Sequence, residues 1–302
     1  YFRGAVENNY VEFANKCWRI VRVTGDGSIK LVLYNDNPNN ASETPCEVED
    51  PTVAFARHTG STYTTAFNTS YNYNAYVGFM YGTPGSSSYA DEHANSTPST
   101  ILQALQSWYN ANSLSTYASY LADSIWCNDK SVDTVYVYGT TNGFGTYETG
   151  YGAFGRIDAG GNYATQANPT LVCPNDKNGG KLSKFTVNDT ENGNGALSQI
   201  EGYPPGLGLL TADEVAFAGG RYNTQNQNYY LNKNASSTYW WTLSPFSFYG
   251  SHALVWRVIK AGGLSSDYGN SINALRPAVS LKSTVTATGE GTSTNPYKVI
   301  LN

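Results

Sequence analysis

The chain has 302 residues, 14% of them charged, with a formal net charge of −5. Such a length can bury a sizeable core, and the charged fraction is well below the roughly 25% of an average globular protein. The acidic balance and a pI near 5.2 exclude a nucleic-acid footprint and a polybasic membrane anchor. Polarity comes instead from Asn, Ser, Thr, Gly and 25 Tyr.

The chain opens on Tyr1-Phe2-Arg3-Gly4 without Met or a signal peptide, which reads as a mature or trimmed ectodomain whose targeting segment is missing. Residues 13–34 predict a β-hairpin. Trp18-Arg19-Ile20-Val21-Arg22-Val23 and Ser28-Ile29-Lys30-Leu31-Val32-Leu33-Tyr34 flank an Asp26-Gly27 turn. Residues 35–97 show little periodicity and read as a loop-rich excursion pinned by Cys46. A helix is expected over 98–109, capped by Thr97 with Pro98 at its first position. Ile101, Leu102, Leu105, Trp108 and Tyr109 form its apolar face. A shorter helix follows from Thr116 towards Ile125. Residues 132–138 alternate as a strand, 139–170 read as Gly- and Tyr-rich loop, and 171–173 and 184–187 are short strand candidates.

Thr211-Ala212-Asp213-Glu214 is a capping box, and Gly219-Gly220 ends the helix that it starts. Three apolar runs follow: Tyr239-Trp240-Trp241-Thr242-Leu243-Ser244-Pro245, Ala253-Leu254-Val255-Trp256-Arg257-Val258, and Leu275-Arg276-Pro277-Ala278-Val279-Ser280-Leu281. Between them lie two segments, 246–252 and 265–273, that read as loops of a recognition surface. Tyr supplies contact area at low entropic cost, and Ser, Gly and Asn supply adaptable hydrogen bonds. The expected ligand contacts are Phe248, Tyr249, His252, Asp267, Tyr268, Asn270 and Asn273, with Trp240 or Trp241 as the floor. Arg276 reads as a buried structural arginine. Residues 297–300 form a closing strand.

The four cysteines allow three pairings, and sequence alone does not choose among them. Cys127-Asn128-Asp129-Lys130 and Cys173-Pro174-Asn175-Asp176-Lys177 resemble each other, which favours Cys127–Cys173 and Cys17–Cys46 disulfides in an extracellular compartment. No cysteine pair has metal-ligand spacing, so neither a metal nor a cofactor is expected. Of the three histidines, His58 and His93 read as surface loop residues, and Asp91-Glu92-His93 is a weak metal candidate. The Glu47-Val48-Glu49-Asp50 stretch reads as a solvated loop. Asn-x-Ser/Thr sites stand at Asn40, Asn68, Asn95, Asn188 and Asn234, a number that this composition can produce by chance. No Gly-x-Ser-x-Gly elbow supports a catalytic triad, so no catalytic residue is expected.

Leu209-Leu210-Thr211-Ala212-Asp213-Glu214-Val215-Ala216-Phe217-Ala218-Gly219-Gly220 resembles the helix start of the formylglycine-generating-enzyme-like branch of C-type-lectin-like folds. Trp240-Trp241-x-x-Ser244-Pro245 and Leu275-Arg276-Pro277-Ala278 look like the C-terminal module of bacterial surface proteins in that class, some of them variable proteins of diversity-generating retroelements. The opening segments, Phe2-Arg3-Gly4-Ala5-Val6-Glu7-Asn8-Asn9 and Trp18-Arg19-Ile20-Val21-Arg22, are similar to secreted proteins of gut Firmicutes, several with pilin-like anchors. The resemblance covers residues 1–34 and 120–300 and leaves out 35–97. It implies an α+β, C-type-lectin-like irregular antiparallel sheet with about three helices and long loops. The whole chain, 1–302, would be one domain with a lectin-like C-terminal module over 200–302. The class's reactive cysteine pair cannot be placed in that module, which has no cysteine, and its calcium motifs are absent. The expected function is non-enzymatic adhesion or recognition of a protein or glycan at the cell surface or in secretion. A pilin-like subunit that assembles into a filament is the first alternative, and a carbohydrate-active enzyme using carboxylates in 35–97 is the second.

Overall fold

The computed structural model describes residues 1–50, 53–57, 63–134, 142–158, 168–174, 183–185 and 207–301. His58, Asn188 and the ends of two expected strands, 135–138 and 186–187, lie outside them. The fold is mixed α+β, dominated by sheet. A seven-stranded sheet runs in the order Leu207–Gly208, Ala278–Leu281, Ile29–Asn35, Lys16–Val23, Tyr10–Phe13, Tyr297–Val299, Ala287–Thr288. Both ends of the chain therefore share one sheet. A six-stranded sheet runs Leu264–Tyr268, His252–Val258, Trp240–Tyr249, Asn273–Ala274, Thr64–Thr65, with Thr149–Gly150 also paired to Trp240–Tyr249.

The expected N-terminal hairpin forms, with strands Lys16–Val23 and Ile29–Asn35. Gly27 has φ +83°, the left-handed conformation that glycine adopts without a Cβ penalty. The helix expected over 98–109 spans Thr100–Ala111 and buries all five apolar residues of its predicted face. Its start differs from the expectation. Ser99, not Thr97, is the cap, its hydroxyl accepting from the Leu102 amide at 3.2 Å. Thr97–Pro98 pairs instead with Met80–Tyr81 as a short strand, and the residue before a proline is biased towards extended backbone. The second helix is a 3-10 segment, Leu114–Tyr120. Two α-helices were not expected, Tyr89–Glu92 and Gly152–Asp158, nor were the 3-10 turns Pro38–Asn40 and Asn74–Val77. Residues 171–173 form no strand, whereas Lys184–Phe185 pairs with Trp126–Cys127.

The segment expected to be the first recognition loop is largely strand. Trp240–Tyr249 runs unbroken through it, and every residue except Tyr249 is buried. Pro245 fits because the register with His252–Val258 shifts on either side of it, and proline is tolerated at such bulges. Two polar residues of this strand are bonded internally. Thr242 Oγ1 donates to the Trp256 carbonyl at 2.9 Å, and Ser244 Oγ accepts from the Ala212 amide at 3.0 Å. The second expected loop begins with the edge strand Leu264–Tyr268.

Both favoured disulfides are present, Cys17–Cys46 and Cys127–Cys173. Disulfides persist in oxidising compartments. Among the described residues no helix is long and apolar enough to cross a membrane.

The capping box of Ala212–Ala218 also docks the N-terminal hairpin. Thr211 Oγ1 accepts from the Glu214 amide, and Glu214 Oε2 accepts from the Thr211 amide, both at 3.0 Å. The same carboxylate meets Arg22 Nε at 2.8 Å and Lys30 Nζ at 2.8 Å. Burial alone would raise the Glu214 carboxyl, but Lys30 and Arg22 beside it hold it below its ordinary value. Removing one member of a buried pair leaves the other charge uncompensated. Glu214→Ala is therefore expected to cost about 3–5 kcal/mol in denaturant melts. The double variant Lys30→Met/Glu214→Leu should lose less than the single one. A double variant as damaged as Glu214→Ala would show that the stranded lysine is not the cause.

Candidate functional site

The tip of the Trp240–Tyr249 and His252–Val258 hairpin is a two-residue turn. Gly250 (φ 54°) and Ser251 (φ 68°) are both left-handed, as tight hairpins matching strand twist require. The turn projects Tyr249 and His252 from a frame whose neighbours are core. Tyr249 is 49% exposed and Tyr268, on the adjacent strand, 48%. His252 lies between two tyrosines. Its ring stacks on Tyr71 at 4.8 Å and 8° and tilts on Tyr268 at 4.5 Å. A carbonyl can only accept, so His252 Nδ1 carries the hydrogen that it shares with the Gly250 carbonyl at 2.9 Å.

Tyr71 reaches the site because its segment is tied to the sheet. The Ala253 amide donates to the Tyr71 carbonyl at 2.8 Å, and the Asn68 amide to the Gly269 carbonyl at 3.0 Å. Asn68 Nδ2 donates to the carbonyls of Tyr76 and Gly78. Further along, Tyr76 packs on Tyr73 at 6.4 Å and on Tyr81 at 5.4 Å. Tyr147, 45% exposed, packs on Phe144 at 5.2 Å. The Thr149–Gly150 strand brings it to the hairpin by pairing with Phe248 and Ser247. One end of the molecule thus gathers tyrosines from 71–81, 147, 249 and 268.

Buried polar groups hold these segments from below. Glu92 is 0% exposed, and its carboxylate accepts from the backbone amides of Ala75, Gly85 and Gly145. Tyr151 Oη donates to Asn74 Oδ1 at 2.5 Å, and Asn74 Nδ2 donates to the Tyr147 carbonyl at 2.8 Å. His93 Nε2 donates to the Gly143 carbonyl at 2.6 Å.

The sequence expectations for the site are corrected in several places. Trp240, Trp241 and Phe248 are each 0% exposed and belong to the core, so no tryptophan floors a binding surface. Strand pairing on both edges of Trp240–Tyr249 encloses them. Asn273 is also buried, its Nδ2 donating to Asp267 Oδ2 at 3.2 Å. Asp267 is half-buried and committed to Arg257 Nη1 at 2.5 Å, with Tyr239 over the Arg257 guanidinium at 4.4 Å. Its Oδ1 accepts from the Tyr268 amide at 2.9 Å, and the Tyr268 carbonyl accepts from Ser271 N–H at 2.9 Å. Tyr249, His252, Tyr268 and Asn270 remain at the surface.

His93, expected on a surface loop, is fully buried, and Asp91-Glu92-His93 makes no metal site. Among the described residues no group of three His, Cys, Asp or Glu could hold a metal ion. Asn68 and Asn95 are buried at 2% exposure, and Asn234 Nδ2 donates to Tyr34 Oη and the Val48 carbonyl. Of the described glycosylation sequons, only Asn40 is fully exposed. Arg276 is the buried, hydrogen-bonded arginine expected. Tyr71, Tyr73, Tyr76 and Tyr147 were missed. Their only sequence signal was tyrosine enrichment in loop segments.

A groove of about 280 Å³ lies beside the Cys127–Cys173 disulfide and is lined by Arg22, Thr24, Asp26, Ser124 and Val172. The cations around it are already paired. Arg22 and Lys30 engage Glu214, and Arg156 engages Asp129 and Asp213. The tyrosine face is the better candidate because Tyr147, Tyr249 and Tyr268 expose their rings while Glu92 and Asn74 beneath them are hydrogen-bonded.

No family model matches the chain, and no curated protein and no solved structure matches it.

Burial, with Lys130 nearby, pushes the His93 imidazole down from 6.5 to about 3. The folded protein then holds it neutral where the unfolded chain protonates it. Stability should fall as pH drops from 6.5 towards about 3, by up to about 1.4 kcal/mol per pH unit from this group alone. Denaturant melts across that window check it, and His93→Gln should flatten the slope. An unchanged slope in the variant would remove His93 as the cause.

Proposed function

We propose that this protein is a non-enzymatic recognition protein of C-type-lectin-like architecture, displayed on a cell surface or secreted. It binds a protein or glycan partner through the tyrosine face around Tyr71, Tyr249, His252 and Tyr268. The observation that carries this reading is the ring stack of Tyr71, His252 and Tyr268 at the solvent boundary. Rings already packed against one another lose little freedom on binding, and pre-organisation lowers the entropic cost of association. Tyrosine offers a partner both an apolar ring and a hydroxyl. The two disulfides fit an oxidising location.

The reading is consistent with the chemistry present elsewhere. The charged side chains beside the face are taken, Asp267 by Arg257 and Asn273. Contact at the face therefore rests on rings, hydroxyls, Asn270 and the His252 edge rather than on a reacting acid–base pair.

Labelled protein on glycan and protein arrays tests the proposal. Tyr71→Ala and Tyr268→Ala should each weaken binding of whatever the wild type captures by roughly 1–3 kcal/mol, the range of aromatic anchors, with melting temperature nearly unchanged. Phe248→Ala should instead lose about 3–5 kcal/mol of stability, as a core truncation does. Array binding that survives both tyrosine variants unchanged would reject this face.

A further inference from the structure

Two arginines sit inside the molecule without a carboxylate. Arg19 and Arg276 are each 0% exposed. Among the described residues neither forms an ion pair. Arg19 donates from Nε to Asn9 Oδ1 at 2.6 Å and from Nη2 to the Val6 carbonyl at 2.5 Å. Arg276 donates from Nε to the Leu33 carbonyl at 3.0 Å and from Nη1 to the Leu231 carbonyl at 2.5 Å. Aromatic rings complete the surroundings. The Arg19 guanidinium lies 3.7 Å from the Tyr10 ring centroid and 5.3 Å from that of Tyr230, and Arg276 lies 4.9 Å from Trp240.

Three donors in this region are left over. Arg19 Nη1, Arg276 Nη2 and Tyr230 Oη are buried, and among the described residues no hydrogen-bond partner meets any of them. Tyr230 lies within the electrostatic reach of both guanidinium groups. Burial pushes its phenol up, so the hydroxyl keeps its proton and remains a donor.

Arginine cannot escape by shedding its proton. The fold therefore encloses two positive charges that repel each other, and burying an uncompensated charge is costly. Ring faces and neutral carbonyls offset part of that cost. They leave the net charge in place and the three donors unmet.

We propose that Arg19, Tyr230 and Arg276 together hold a small inorganic anion, a halide such as chloride, which accepts from Arg19 Nη1, Arg276 Nη2 and Tyr230 Oη. The ion supplies a direct negative partner to two guanidinium groups, of which Arg19 otherwise feels only the exposed carboxylate of Glu7 from a distance. Complete burial among tyrosine and tryptophan rings favours a monatomic ion over phosphate or an organic carboxylate. Its position makes it a structural ligand. Arg19 belongs to the N-terminal hairpin, and Arg276 leads into the Ala278–Leu281 strand that pairs with that hairpin.

The full chain is refolded from denaturant in sodium chloride, sodium bromide or sodium gluconate at equal ionic strength, so that a trapped ion is exchanged. The wild type should then melt a few degrees higher in either halide than in gluconate, because a ligand that binds only the folded state raises its stability. Tyr230→Phe should lose most of that increment. Crystals grown in bromide should show an anomalous peak between the two guanidinium groups. Equal melting in all three salts with no bromide peak would mean that water satisfies the donors, and would overturn the proposal. A halide increment that persists undiminished in Tyr230→Phe, with no peak at this place, would put the ion elsewhere and overturn it equally. The bromide peak reads the wild type alone, so the test survives a variant that fails to fold.

Discussion

The Glu214 carboxylate is the constraint on which the architecture turns. It closes the capping box of its own helix and receives Arg22 and Lys30 from the N-terminal hairpin. A buried carboxylate of this kind tolerates one docking geometry, because any shift strands a charge. The helix start is fixed in turn to the long central strand, through Ala212 N–H on Ser244 Oγ and Leu243 N–H on the Leu210 carbonyl at 2.7 Å. That strand carries the hairpin tip at its far end. A local capping motif thus sets the orientation of a surface a strand's length away.

The tyrosine face depends on a second buried acid. Glu92 gathers the amides of Ala75, Gly85 and Gly145, which belong to three separate segments, the first of them the 3-10 turn Asn74–Val77. Loops without regular pairing need such an anchor, because buried backbone groups must find partners. Recognition surfaces carried on loops are useful only when a rigid base holds them. Here the base, with Glu92 and Asn74 hydrogen-bonded, is polar and out of solvent, while aromatic rings stand outside it. The usual arrangement of core and surface is locally inverted.

Much of the frame was legible. The Asp26-Gly27 turn, the Thr211–Glu214 box and the apolar face of Thr100–Ala111 each rest on short-range chemistry, and each appears. The errors have a common cause in long-range pairing. Phe246, Ser247, Phe248 and Tyr249 read as loop because they mix polar and aromatic types. Pairing with His252–Val258 on one side and Thr149–Gly150 on the other makes them strand. His93 read as a surface loop residue and Asp91-Glu92-His93 as a weak metal candidate, and only the folded chain shows which amides Glu92 receives. Tyr249, His252 and Tyr268 could be placed from their neighbours in sequence. Tyr71 could not, since the hydrogen bond from Ala253 that delivers it joins segments far apart in the chain.

The Leu264–Tyr268 strand ends the six-stranded sheet. Edge strands commonly invite another chain to extend the sheet by main-chain pairing. This one is sealed. Leu264 directs its amide and carbonyl to Arg221 and Asn223, and the Tyr268 amide and carbonyl are occupied by Asp267 and Ser271. Strand addition would have to break those bonds first. On the proposed recognition role, a partner at this end of the molecule would read side chains, and its affinity would follow the identity of the exposed residues. In that proposed role, substitutions among them would change specificity while the bonded ends of the edge strand stay unavailable to β-augmentation.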